Sequence, residues 1–388
     1  MKLHRAPGRA LALLVLAATL AACQTSQPPA APKAAAPAAS APTAAAPASG
    51  ASATSAAPAS APAAPAAPIH VRISTARTAS DAGLDIAVDK GYFQQEGLDA
   101  DLIPFSSTSE MLPAVGTGQV DTVTVGPNPA TLNALARGVP LKAVLDTGSF
   151  RAGVGYQAVV VRKELYDRGQ GHQLTDMRGM SIGITPPGKA TTSACALAAG
   201  LGRVGMTLDD LNVVPLTFPD MVPALANGAI DSALMSEPFK TRALRQGTIV
   251  STVPTSELYP NFALGLVAFS REFYDNRPAG KAFARAYVKA IRELLDARAG
   301  RLGDARRAEL EEIIARNTGL DAATVHDMEL PGFNPNGVPT QEGMLYCYQF
   351  FRDLGLVPEP VSDATFASLW GTDLIEEVLN EIGRVPES

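Results

Sequence analysis

A motif that occurs twice constrains this 388-residue chain more than any other feature. Met111-Leu112-Pro113-Ala114-Val115 continues through Gly118 to Val120-Asp121-Thr122-Val123. Without a gap in the alignment, Met221-Val222-Pro223-Ala224-Leu225 continues through Gly228 to Ile230-Asp231-Ser232-Ala233. Met, Pro, Ala, Gly and Asp are identical and in register, and each copy reads as a strand, a loop, a helix and a strand. A repeat reveals architecture before any single motif does, so the chain is expected to build two similar lobes. Open α/β lobes bind ligands in the crevice beyond the carboxyl ends of their strands. The candidate loops are Arg77 to Ser80, Phe105 to Thr108 and Gly126 to Asn128 on one lobe. On the other they are Pro187 to Ser193, Thr217 to Asp220 and Ser236 to Pro238.

Ahead of the lobes, Lys2, Arg5 and Arg9 precede the short apolar run Leu11 to Thr19, which reads as an export signal over residues 1–22. Leu20-Ala21-Ala22-Cys23 resembles a bacterial lipobox, which implies cleavage before Cys23 and lipidation of its thiol. The alternative is an ordinary signal peptide with an incidental cysteine. Residues 23–68 are almost wholly Ala, Pro, Ser and Thr, a tether that buries no core. The expected location is the cell envelope, in the periplasm or at the outer face of the cytoplasmic membrane, anchored to the bilayer through Cys23.

Removing Lys2, Arg5, Arg9 and Lys33 from 32 bases leaves 28 against 38 acids, so the body carries a net −10. That balance argues against nucleic-acid binding, which relies on Lys and Arg to neutralise phosphate. His70, His172 and His326 show no ligand spacing, and neither a metal nor a cofactor is expected. Cys195 and Cys347 read as two buried thiols or, in an oxidising compartment, a disulfide.

Apolar runs alternating with amphipathic segments predict an α/β fold with largely parallel strands. The strands are His70 to Thr75, Asp99 to Pro104, Thr122 to Val125, Leu141 to Asp146, Tyr156 to Arg162, Ser181 to Ile184, Val213 to Pro215, Ser232 to Met235 and Gly265 to Phe269. Ala82 to Lys90 reads as a helix, Ser107 and Glu110 have capping-box spacing, and the chain beyond Ala279 reads as mostly helical.

Asp89-Lys90-Gly91-Tyr92-Phe93-Gln94-Gln95-Glu96-Gly97-Leu98 resembles the KGYF-x-x-EGL signature of the nitrate/sulfonate/taurine (SsuA-like) family of ABC substrate-binding proteins, which also includes binders of thiamine-pyrimidine precursors. Gly118-Gln119-Val120-Asp121, Val125-Gly126-Pro127, Ala136 to Leu141, Met177-Arg178-Gly179, Pro187-Gly188 and Ser236-Glu237-Pro238 resemble its later blocks, in order. The resemblance implies a type II periplasmic-binding fold, hinged near Phe150 to Gly155 and Tyr259 to Leu264. Lobe I would comprise 69–152 and 265–388, and lobe II 153–264. It also implies a monomer that captures a small molecule and delivers it to an ABC permease. A sensor signalling to a membrane receptor is the alternative. Members often carry an aromatic before the acid-proline pair, where this chain has Ser236, so a stacking platform is expected to be missing.

Within the loops, Gly188, Lys189, Thr191 and Thr192 stand at a helix start whose free amides suit an anionic group. Ser106, Ser107 and Thr108 form the counterpart on the other lobe, with Thr78, Ser80 and Gly126 beside them. Arg77 offers a bidentate contact to a sulfonate or carboxylate, or is a solvated arginine. Glu237 would favour an amine instead, or serve the helix start, and Asn128 would serve a ligand or cap the next helix. Gly183 to Lys189 fits the first part of a P-loop, but Ala190 lacks the hydroxyl that binds magnesium. No nucleophile-base spacing stands out, so no catalytic residue is assigned and binding without turnover is expected.

Overall fold

The computed structural model describes residues 67–387. The export signal, Cys23 and nearly all of the tether lie outside them. Among the described residues no helix is long and apolar enough to cross a membrane.

Twelve strands form two five-stranded sheets and one two-stranded ribbon. They are β1 (Ile69–Thr75), β2 (Leu98–Pro104), β3 (Thr122–Val125), β4 (Leu141–Asp146), β5 (Ser149–Phe150), β6 (Gln157–Arg162), β7 (Ser181–Ile184), β8 (Asn212–Pro215), β9 (Ser232–Ser236), β10 (Ile249–Pro254), β11 (Phe262–Ala263) and β12 (Leu266–Ser270). The first sheet runs β2-β1-β3-β12-β4. Read from β8, the second runs β8-β7-β9-β6-β10, the same plan. In each sheet the fourth strand is the first one made after a crossing between the sheets, β6 after the first crossing and β12 after the second.

The repeat explains this equivalence residue by residue. Its copies are β2, helix Thr108–Gly116 and β3, then β8, helix Phe218–Ala226 and β9. Gly118 and Gly228 both turn the chain at positive φ, 69° and 79°, where a side chain is strained. Asp121 then accepts the backbone N–H of Arg72 on β1 at 2.8 Å, and Asp231 accepts that of Ser181 on β7 at 3.0 Å. The shared aspartate therefore locks each repeat's last strand, the middle one of its sheet, to the neighbouring β1 or β7.

Two expectations are corrected. Among the strand pairs of the described residues only β1-β2, β1-β3, β7-β8 and β7-β9 are parallel. β12 and β6 run antiparallel to both of their neighbours, because each enters its sheet directly from a crossover. The Ser107–Glu110 capping box does not form either. Ser107 occupies the N-cap without a side-chain bond, and Glu110 accepts the Ser106 N–H instead.

The core of the first lobe is closed by the tail. Helix Arg277–Arg298 presents Phe283, Tyr287, Ile291 and Leu294, at helical spacing, to Val71, Ile73, Leu84 and Phe93. Phe283 packs its ring 4.8 Å from Phe93 and 5.1 Å from Phe269. Between the sheets the chain crosses twice, and the crossings pair as an antiparallel ribbon, Phe150 opposite Phe262 and Ser149 opposite Ala263. Cys195, on helix Thr192–Arg203, is joined by a disulfide to Cys347, on helix Met344–Asp353. Of the two readings of these cysteines, the structure takes the bonded one.

Candidate functional site

Loops from both sheets converge on one cleft of about 370 Å³. From the first sheet come Thr78 and Ser80 after β1, Ser106, Ser107 and Thr108 after β2, and Gly126 and Asn128 after β3. The second supplies Thr185 after β7, Thr192 and Ser193 at the next helix start, Phe218 after β8, and Ser236 at the end of β9. The crossings contribute Thr147, Tyr156, Gln157, Leu264 and Gly265 to the floor. The walls come close: a Cβ on Gly126 would lie 2.9 Å from the Leu264 carbonyl oxygen and 3.2 Å from Thr192 Oγ1.

Helix starts dominate the polarity. Thr191 caps the 192–203 helix, accepting the Ala194 N–H at 3.1 Å, so the Thr192 and Ser193 amides have no intrahelical acceptor. The 108–116 helix begins at the opposite wall with its N-cap hydroxyl unused. Asn128 both lines the cleft and caps the next helix, accepting the Thr131 N–H at 3.0 Å. Thr78, Ser80, Ser107, Thr108, Thr192 and Ser193 add hydroxyl-bearing side chains to the lining. Asp81 is the one charged lining residue. Its carboxylate accepts from Thr75 Oγ1 and from the Ala76 and Thr78 amides, which shapes the loop after β1. Burial holds its pKa above the usual carboxylate range.

Two polar atoms in the floor lack partners. Gln157 Nε2 donates to Ser236 Oγ at 2.6 Å while Gln157 Oε1 is unbonded, and Thr147 Oγ1 is unbonded as well. Both residues are buried, and buried polar atoms are ordinarily paired. Burial also pushes the Tyr156 hydroxyl up to about 12, which keeps it a proton donor at neutral pH.

Five sequence-predicted site residues lie outside the lining. Arg77 is exposed, with φ of 53°. Lys189 is ion-paired with Asp209 on the surface, and Gly188 is buried against Pro215 and Val213. Thr191 works as the cap. Glu237 is buried beside Lys240 Nζ at 3.0 Å and accepts from the Thr241 amide and hydroxyl, so its carboxylate serves the helix start.

Sequence reasoning missed the crossing residues Tyr156 and Gln157, and although it placed the Thr217 to Asp220 loop at the cleft it did not single out Phe218. Phe218 stands in the second repeat where Thr108 stands in the first, so aligning the copies sets an aromatic on one lobe at the place of a hydroxyl on the other. Phe218 stacks on Phe239, centroids 5.6 Å apart. The aromatic expected to be missing before Glu237 is thus present on another loop.

Two like lobes, a paired double crossing and a cleft between the strand ends define a two-lobed solute-binding fold of the periplasmic type. The chain is similar to the periplasmic aliphatic sulphonate binding protein SsuA from Escherichia coli, with a TM-score of 0.62 and 18% identity over 80% of this chain and 99% of that one. It is similar to the periplasmic nitrate-binding protein NrtA from Synechocystis, with a TM-score of 0.62 and 16% identity over 81% of this chain and 89% of that one. The desulfurization enzyme DSZB shares the fold too, with a TM-score of 0.56 and 17% identity over 81% of this chain and 99% of that one. A Brucella abortus relative named as a binding protein is 30% identical over 148 residues, 38% of this chain and 41% of the relative. The chain thus spans less than half the length of the curated relatives it matches. The chain belongs to the NMT1-like family, which it matches over residues 64–315.

Proposed function

We propose that this protein is the solute-binding component of an ABC importer, capturing a small ligand in the cleft and delivering it to the permease without turnover. The observation that carries the reading is a cleft lined from both sheets by hydroxyl side chains and helix starts, with the aromatic ring of Phe218 among them. Such a site suits a ligand with an anionic or strongly polar head and a flat or apolar body, such as an organic sulfonate or a pyrimidine precursor. The sulphonate- and nitrate-binding neighbours support the class. Binding rather than catalysis is supported by the lining, which includes no His, Cys or Lys and whose single carboxylate is occupied by the loop. The basic and apolar leader and the lipobox-like Leu20 to Cys23 support an envelope lipoprotein held at the membrane by Cys23.

Calorimetry against sulfonates, nitrate, aminopyrimidines and aromatic acids tests the reading. Thr192→Ala should weaken a bound ligand by about 1 kcal/mol through its lost hydroxyl. Phe218→Ala should weaken aromatic members by roughly 1–2 kcal/mol more than nitrate. Lys189→Ala should leave every affinity unchanged. Ligands insensitive to both Thr192 and Phe218 would place the binding site elsewhere.

A further inference from the structure

The second lobe is fastened to the first by more than its two crossings. Cys195 lies one helical turn beyond Thr192, which lines the cleft from the second lobe. Cys347 lies on the 344–353 helix, whose Met344, Cys347 and Phe351 pack with Val125, Leu132, Leu135 and Leu266 in a core of the first lobe. The tail is anchored there again where Asn133 donates to the Leu356 carbonyl at 2.9 Å. The disulfide, 152 residues across, is therefore a third covalent link between the lobes. It sits close to the ribbon, since the helix carrying Cys347 has Gly343 at its N-cap, whose Cα lies so near Phe262 that a Cβ there would collide with the ring.

Apolar packing accompanies the bond, with Ala196 in the same core and Phe350 against the core of the second lobe, and a further set of ties between the lobes is ionic and reversible. Helix Phe239–Arg245 of the second lobe sends Lys240 to Glu329 at 3.6 Å, Arg242 to Asp321 at 3.9 Å and Arg245 to Asp327, all three acids following the 304–318 helix of the first lobe. Exposed pairs such as the last two are weak and screened by salt. A disulfide does not give way on the timescale of a hinge motion.

We propose that the Cys195–Cys347 bond is a built-in stop on the opening of the cleft. With the two α-carbons held 5.7 Å apart, the wall carrying Thr192 cannot retreat from the wall carrying Gly126. Opening is confined to a rotation pivoting beside the ribbon, so the cleft parts at its other edge, between Thr108 and Phe218. Sliding of one lobe across the other is blocked. This inference depends on the position of the bond and on no particular ligand.

The test places a nitroxide pair at Gln119 and Ala229, exposed and repeat-equivalent positions beyond the 108–116 and 218–226 helices. Labels carried on keto side chains leave the cysteines untouched. Pulsed electron paramagnetic resonance on the ligand-free full chain should give one narrow interlobe distance distribution. Cys195→Ala with Cys347→Ala should broaden it and add a population at longer distance, with circular dichroism confirming the fold. Should that variant not fold, the labelled wild-type chain, reduced in place with a phosphine, gives the same comparison. Superimposable distributions with and without the bond would overturn the proposal, as would a bonded protein that already populates widely separated lobes.

Discussion

Asp85 offers a direct reading of how much this fold tolerates against its own electrostatics. It lies in helix Ala82–Asp89, is 1% exposed, and neither carboxylate oxygen has a hydrogen-bond partner. Burial, reinforced by Asp81 and Asp89 and opposed by Arg77, raises its pKa to about 8. The folded chain therefore keeps a proton that the unfolded chain releases near pH 4. Between those two values the native state binds more protons, so stability falls as pH rises, by about 1.4 kcal/mol per unit. The cost vanishes below the unfolded pKa, reaches roughly 4 kcal/mol at pH 7, and levels off above the folded one. Asp85→Asn keeps the shape and removes the ionisation. Urea unfolding of both proteins at pH 5, 6, 7 and 8 should show the variant gaining on the wild type at each step, by several kcal/mol over the series. Asp146, also pushed up by burial, to about 7, titrates in both proteins and cancels in the difference. A difference that stays constant across the series would refute the buried, protonated Asp85.

Gly126→Ala would press a methyl group against the Leu264 carbonyl and Thr192 Oγ1; it should prop the cleft and weaken ligand binding by about 1–3 kcal/mol in calorimetry. Asp121→Asn and Asp231→Asn each remove a charged acceptor from a neighbouring strand's amide, and each should lower stability by ~1–3 kcal/mol in urea unfolding. One of the two being silent would break the equivalence of the repeats.

The repeat made the two-lobe plan legible because it spans a whole strand-helix-strand unit, and the loops after those strands do converge. Other features were hidden for identifiable reasons. The β10 segment Ile249–Pro254 places Ser251 and Thr252 side by side between Val250 and Val253, which breaks any alternation, ends in proline, and lies at the edge of its sheet, where pairing with β6 decides its state. The β5–β11 ribbon has two residues per strand, too short for any periodicity. Tyr156 and Gln157 reach the cleft because the crossing chain passes beneath it, a property of topology. Arg77 was legible as a loop cation, but its positive φ turns the chain at a point where its side chain stays in solvent.

The return of β12 to the first sheet bears on the order in which this chain can fold. As the polypeptide emerges from its N-terminus, β3 has β1 on one side and nothing on the other until β12, beyond residue 265, has been made. The first sheet, begun at Ile69, thus waits for nearly the whole second lobe, and β4, which pairs only with β12, waits with it. Contacts between such distant segments form slowly. A nascent chain of this design holds off its final structure until most of it has been synthesised, with the free edge of β3 left open while the second sheet is made.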